Sequence, residues 1–204
     1  MKENMNLEFS GFACGYRNKK GAAVLQTIPD CVLDIPTVYK YVTSDLAKPA
    51  TVLLRSMIGK ATDQEISDFK KLNFRIACVR GIFIKRCSSG LATLSKFLPV
   101  DIDDLSSTEE ARQVQQILIG DPALEVAMSF VSPKGKGAKV FVELPDWAVD
   151  LSYSQQYEVI ANHIAVAHGI PVDFQTKDIA RAAFLCHDPL AYLNPKYMSD
   201  KPKQ

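Results

Sequence analysis

Two acidic residues and a lysine- and glycine-rich segment are the parts of this sequence best suited to chemistry. Asp101 and Asp103 end an apolar run that begins at Phe97. Further along the chain, residues 132–142 read SPKGKGAKVFV, a basic glycine loop that leads into a predicted strand. Carboxylates two residues apart suit a metal ion, and a basic glycine loop suits a phosphate. Together the two segments indicate nucleotide chemistry.

The spacing of the two aspartates has a geometric meaning. In a strand, residues i and i+2 face the same side, roughly 6.6–7 Å apart. Asp101 and Asp103 can therefore both direct carboxylates at one hard cation, while Ile102 fills the core. Mg²⁺ or Mn²⁺ held in this way, together with substrate phosphates, is typical of phosphoryl and nucleotidyl transfer. The alternative is that Asp103 and Asp104 are solvated residues at a strand-to-helix turn.

The glycine loop suits an anion for two reasons. Gly135 and Gly137 let backbone N–H groups approach an anion closely, and lysines supply positive charge at Lys134, Lys136 and Lys139. The loop leads into a strand and not into a helix, so it is neither a Walker A sequence nor a dinucleotide fingerprint. A basic hairpin turn without a ligand is the alternative.

Composition limits the functional classes. The chain has 204 residues, 47% of them hydrophobic, which is enough for a proper core, and a formal net charge of +1. A nucleic-acid role must therefore depend on a local basic patch. Five scattered cysteines without zinc-site spacing predict reduced thiols in a cytoplasmic protein. We expect no membrane association, because the sequence contains neither a signal peptide nor a run of 18 apolar residues.

The periodicity of apolar residues predicts an α/β chain. In the first third, we expect edge strands or a hairpin at 7–14 and 22–25, and helices after Asp34 and Thr62. In the remainder, we expect strands at 97–102, 125–131, 138–144 and 170–174, a helix capped by Ser107, and a long helix at 152–168 that Gly169 ends. Residues 1–70 are expected to be integral to the domain whose core is 71–195, and 196–204 form a polar tail.

Three motifs and their order resemble a known family. The sequence has VDID at 100–103, SPKGKGAK at 132–139 and VDF at 172–174, and residues 178–189 read DIARAAFLCHDP. Over roughly residues 70–195 the chain resembles the amino-terminal domain of Bacteroides-type proteins related to the virulence-associated protein E group. That domain belongs to the archaeo-eukaryotic primase, or primase-polymerase, superfamily. The resemblance implies an α/β (α+β) fold with a mainly antiparallel or mixed central sheet flanked by helices.

The resemblance also assigns roles to residues. Asp101, Asp103 and Asp173 would bind catalytic Mg²⁺ or Mn²⁺ ions. Ser132 and Lys139 would contact the triphosphate, aided by the loop residues Lys134, Gly135, Lys136 and Gly137. Arg181 would contact phosphate or template, because its planar guanidinium suits phosphate oxygens; an ion pair with Asp178 is the alternative.

The implied activity is DNA primase- or polymerase-like nucleotidyl transfer in the replication of a mobile genetic element. Its partners would be nucleoside triphosphates, a single-stranded DNA template and a helicase-like ATPase. No Walker A sequence is present, so we expect that ATPase on a missing region or on another chain. Many catalytic members have histidine where Lys139 stands, and lysine cannot shuttle protons near neutral pH. The alternative is an inactive module of the same fold that binds nucleotide or single-stranded DNA.

The remaining basic residues have weaker patterns. Arg75, Arg80, Lys85 and Arg86 could follow a phosphate backbone with Phe83 as a stacking partner, or could simply solvate a sheet edge. The three histidines, His163, His168 and His187, are interpreted as structural or solvated, with His187 alone near the proposed site.

Overall fold

The structure is a computed structural model that describes residues 6–172 and 178–198. These residues form five α-helices: Ile35–Thr43 (α1), Lys48–Met57 (α2), Asp63–Asn73 (α3), Thr108–Ile119 (α4) and Tyr153–His168 (α5). The strands of the first part are Phe9–Phe12 (β1), Tyr16–Arg17 (β2), Ala23–Val24 (β3), Cys31–Leu33 (β4), Ile76–Cys78 (β5), Gly81–Phe83 (β6) and Leu91–Leu94 (β7). Those of the second part are Phe97–Ile102 (β8), Glu125–Val131 (β9), Ala138–Glu143 (β10), Ala183–Phe184 (β11) and Tyr192–Leu193 (β12).

Two four-stranded sheets organise the molecule. The first has the order β11-β5-β1-β4, and the second has the order β12-β9-β10-β8. Every pair of neighbouring strands in these sheets is antiparallel. Two separate hairpins join β2 to β3 and β6 to β7. The predicted α/β (α+β) class with antiparallel sheets flanked by helices is confirmed.

The second sheet is buried on both faces, which explains its apolar strands. Along β8, Leu98 and Val100 pack in one core cluster with residues of α4 and α5. Phe97 belongs to a different cluster, together with Phe141 of β10 and residues of α1. Because side chains alternate along a strand, Asp101 faces the same side as Phe97, away from α4 and α5.

Several predicted helix ends are confirmed by their caps. The Ser107 hydroxyl accepts a hydrogen bond from the Glu110 N–H, and Ser152 begins α5 with a full capping box. Gly169 has φ +66° and ends α5. None of the helices in the described residues is both long and apolar enough to cross a membrane.

Two element predictions are wrong. Residues 7–14 and 22–25 were expected to form a hairpin or edge strands, but β1 is an interior strand that pairs with both β4 and β5, and β3 pairs with β2. The partners of β1 are distant in sequence, so only tertiary contacts decide its position. The structure describes 170–172 of the strand predicted at 170–174, and these residues follow the end of α5 without strand pairing.

Candidate functional site

A pocket of about 690 Å³ lies where β8 ends and the glycine loop begins. Asp101 and Asp103 both line it, as do Ser132 and Lys134 of the loop and Lys139 at the start of β10. The antiparallel register explains this meeting, because Lys139 is the Cα partner of Asp101. The two segments identified from the sequence therefore form one site.

Asp101 and Lys139 form a buried ion pair at the base of this site. Lys139 Nζ donates to Asp101 Oδ1 over 2.8 Å. Only 7% of the Asp101 side chain and 8% of the Lys139 side chain are exposed. The Nε atom of Arg181 lies 3.9 Å from the other oxygen, Oδ2. Asp101 is therefore held between two cations. Arg181, which was predicted to contact a phosphate, lies beside this carboxylate in the structure.

The glycine loop is held in place by its own turn and by two side chains. The Gly135 N–H donates to the Ser132 carbonyl over 2.9 Å, and Gly135 has φ +80°, where glycine is favoured. Thr108 Oγ1 donates to the Gly135 carbonyl over 2.9 Å. Arg55 Nε donates to the Pro133 carbonyl over 3.3 Å. The Gly135 N–H closes the turn, so in this conformation it does not point to a phosphate, contrary to the expectation from the sequence.

Gly137 brings the loop close to the end of β8. A Cβ atom at this position would lie 2.5 Å from the Ile102 carbonyl oxygen and 3.2 Å from Asp103 Oδ1. Only glycine permits that approach without a shift of backbone. Gly137 therefore keeps the exposed Asp103 carboxylate beside the loop.

The predicted site residues fall into three groups. The pocket is lined by Asp101, Asp103, Ser132, Lys134, Lys139 and Arg181. Gly135, Lys136 and Gly137 are not among its lining residues, and Lys136 is exposed to solvent. Asp173 lies outside the described residues, although Pro171 and Val172 before it line the pocket.

One polar residue of the pocket, Lys70 on α3, was not indicated by the sequence. Lys70 lines the pocket, and its ammonium group lies 5.4 Å from the centre of the Phe184 ring. Burial lowers the pKa of Lys70, and the charges of Lys134, Lys139 and Arg181 add to that effect. No local motif marks Lys70, because α3 has an ordinary amphipathic sequence.

Three further polar residues, each named from the sequence in another role, complete a pocket of mixed charge. Arg86, Asp104 and Asp178 also line it. Asp104 has φ +58°, a conformation that aspartate tolerates better than most residues with a side chain. The lysine and arginine side chains of the pocket suit a polyanion, and its aspartate carboxylates suit a metal ion bound to that polyanion. The arrangement can therefore hold a metal-bound phosphate ester.

The other basic residues singled out from the sequence do not form a nucleic-acid track. Arg75 pairs with Asp30 over 2.8 Å. Arg80 is 1% exposed and donates to the Ser95 carbonyl, while Phe83 is 2% exposed and unavailable for stacking. Tertiary packing has buried Arg80 and Phe83, whereas Lys85 is exposed and Arg86 lines the pocket.

Of the three histidines, only His187 departs from the expected position near the site. His187 does not line the pocket; its Nδ1 lies 2.7 Å from the Ser44 carbonyl oxygen. His163 and His168 meet at Asp121, and their ligand atoms lie within 4.8 Å of one another. These three residues offer ligand atoms that can hold a metal ion, and no pattern in the sequence indicated this group.

A comparison with known families matches nearly the same residues as the resemblance found in the sequence. The family model described as "BT4734-like, N-terminal domain" matches residues 69–193, more than half of the chain. No curated protein and no solved structure matches the chain. The matched range includes Asp101, the glycine loop and Arg181. The chain therefore belongs to the BT4734-like N-terminal domain family.

Proposed function

We propose that this chain is a metal-dependent nucleotidyltransferase domain of the primase-polymerase type, related to the virulence-associated protein E group. It would join nucleoside triphosphates on a single-stranded DNA template during replication of a mobile genetic element. One observation carries the proposal: the two carboxylates of the D-x-D segment and Lys139 of the glycine loop line the same cation-rich pocket. A helicase-like ATPase on another region or chain would open the template.

The donor set fits a hard divalent cation. Asp101 and Asp103 offer carboxylate oxygens, and Mg²⁺ is commonly bound by one or two carboxylates together with substrate phosphates. These two residues would hold Mg²⁺ or Mn²⁺, with Asp173 as a further carboxylate that the resemblance implies. A bound ion of this kind orients the triphosphate and stabilises charge as the phosphate bond breaks.

The cations of the pocket would bind the triphosphate. Lys139 now neutralises Asp101, and it would turn to a phosphate oxygen once Asp101 has another cationic partner. Arg181 lies close to the Asp101 carboxylate, and its planar guanidinium group is suited to binding a phosphate. Lys70 and Lys134 line the same space and would add positive charge. Ser132 would contribute its hydroxyl group.

The same ion pair favours a second candidate, a binding module without catalysis. Lys139 occupies an oxygen of Asp101 that a metal ion would need. Lysine at this position also lacks the imidazole's capacity to transfer protons near neutral pH. A domain of this kind would bind nucleotide or single-stranded DNA and leave synthesis to another protein.

Primer synthesis on a single-stranded DNA template with Mn²⁺ and labelled nucleotides tests the proposal. We expect incorporation by the parent protein and its loss in Asp101→Asn/Asp103→Asn. Glu109→Gln, an exposed change on α4, is the matched control and should retain it. Binding of a fluorescent nucleoside triphosphate is measured in parallel. Binding without metal-dependent incorporation would support the module, and the absence of both would reject both functions.

A further inference from the structure

We propose that Asp121, His163 and His168 form a structural metal site that binds a divalent transition metal ion such as Zn²⁺. The site is independent of the proposed nucleotidyl transfer. It joins the end of α5 to the connection between α4 and β9.

The carboxylate of Asp121 is positioned to act as a ligand. Its side chain is 6% exposed, and Oδ1 accepts a hydrogen bond from the Ala123 N–H over 2.8 Å. Oδ2 lies 2.7 Å from His163 Nε2 and 2.6 Å from His168 Nε2. A backbone hydrogen bond thus fixes one oxygen, while the other points at both imidazole rings.

The two histidines approach that oxygen from different sides. They are five positions apart on α5, which is about 140° around the helix axis. Their rings are nearly perpendicular, at 86°, with centroids 6.2 Å apart. Gly169 ends the helix directly after His168 and so leaves that side chain at the last helical position. Such an arrangement lets two nitrogen lone pairs converge on one point.

Two imidazole nitrogens and one carboxylate oxygen are ligands that zinc prefers, with a water molecule as the fourth. Zinc bonds of about 2.0–2.2 Å in a tetrahedron place neighbouring ligands about 3.3 Å apart. The present distances of 2.7 and 2.6 Å from Asp121 Oδ2 to the two Nε2 atoms are those of hydrogen bonds. Metal binding therefore requires these three atoms to move slightly apart. The His163 and His168 side chains, 34% and 21% exposed, have room for that shift and for entry of the ion.

The site is separate from the pocket. None of its three residues lines the pocket. Asp121 precedes β9, whereas the glycine loop follows β9 at its other end, and seven strand residues span about 20 Å. A metal ion here would therefore stabilise packing between elements and take no part in the proposed transfer reaction.

Zinc titration of the metal-stripped full chain tests this inference, with a chromophoric chelator as competitor and the melting temperature as a second readout. We expect one equivalent of Zn²⁺ to bind and to raise the melting temperature. His163→Ala and His168→Ala should each weaken binding at least 10-fold. Asp121→Asn keeps a hydrogen-bonding side chain, and it should also weaken binding while the protein remains folded.

Two controls separate this site from other parts of the protein. His187→Gln removes the histidine outside the group and should leave zinc affinity unchanged. Asp101→Asn/Asp103→Asn should also leave it unchanged, even where nucleotide incorporation is lost. Visible absorption of the Co²⁺-loaded protein should show tetrahedral coordination. Equal zinc affinity in the parent and in His163→Ala/His168→Ala, or no binding by the folded parent at micromolar zinc, would overturn the proposal.

Discussion

Lys139 and Asp101 face each other across adjacent antiparallel strands, with 2.8 Å between Lys139 Nζ and Asp101 Oδ1. Both side chains are more than nine-tenths buried. Loss of one partner of a buried ion pair leaves a charge without compensation, which typically costs about 3–5 kcal/mol. The pair therefore links the stability of the second sheet to the chemistry of the pocket.

Lys139→Met should lower the free energy of unfolding by about 3 kcal/mol, because Asp101 then lacks its nearest cation. Asp101→Asn/Lys139→Met should recover part of that loss, since the buried charge is removed as well. Urea denaturation measures both effects. Lys134→Met, an exposed change in the same loop, is the control and should shift stability by less than about 0.5 kcal/mol. Additive losses in the double variant would contradict an energetic coupling of the pair.

Lys139→Gln should have opposite effects on two ligands. We expect tighter Mn²⁺ binding, because Asp101 no longer shares an oxygen with an ammonium group. We also expect roughly 10-fold weaker binding of a nucleoside triphosphate, because a charge-assisted hydrogen bond is lost. Mn²⁺ titration followed by electron paramagnetic resonance and fluorescence titration of the nucleotide measure the two affinities. Weaker binding of both Mn²⁺ and the nucleotide would show that Lys139 does not compete with the metal ion for Asp101.

Lys70 should make triphosphate binding sensitive to pH. Burial and neighbouring cations lower the pKa of Lys70, so its ammonium group loses its proton at a lower pH than an ordinary lysine does. Binding should fall as pH rises through that lowered pKa, and Lys70→Arg should move the fall to higher pH. Lys70→Met should weaken binding at pH 7 yet raise stability, because the charged form is unfavourable to folding. An unchanged pH profile in Lys70→Arg would reject this role.

Glu143 should contribute to the acid sensitivity of the fold. Burial alone would raise the pKa of Glu143, but hydrogen bonds from Lys196 and Tyr197, with the nearby positive charge, outweigh burial and lower it. A carboxylate with a lowered folded-state pKa stabilises the protein above its unfolded pKa, about 4.3, and this contribution is lost as pH falls further. Glu143→Gln should therefore lower stability at pH 7 and flatten its decline below pH 4.5. Urea midpoints between pH 3 and 7, with Glu109→Gln as control, measure the difference.

Asp188, near the end of residues 178–189, should be a major structural residue. It is 1% exposed, pairs with Arg112 of α4 and accepts a hydrogen bond from the Val131 N–H over 2.7 Å. Asp188→Asn removes the charge that Arg112 requires and should cost about 3 kcal/mol. Thermal and urea unfolding measure the loss, for which Asp178→Asn at the exposed rim of the pocket is the comparison. A loss below about 1 kcal/mol would show that Arg112 finds another partner.

Local sequence by itself determined three strands of the second sheet, β8, β9 and β10, and the helix ends at Ser107 and Gly169, but not the short strand β12. The bounds of β8 and β9 agree with the apolar runs, and Ser107 and Gly169 mark helix ends through their own hydrogen bonding and backbone conformation. These signals are readable because strand and helix periods and caps act over only a few residues. The order of the motifs also indicated that Asp101 and the glycine loop belong to one site.

Only the tertiary structure decided which side chains meet. The register of β8 against β10 pairs Asp101 with Lys139, and the packing of α3 brings Lys70 into the same pocket. The approach of α5 to the α4–β9 connection joins His163 and His168 to Asp121. Each contact joins residues far apart in the chain, and contacts of that kind depend on which strands pair and how the helices pack, which the sequence of one element does not specify.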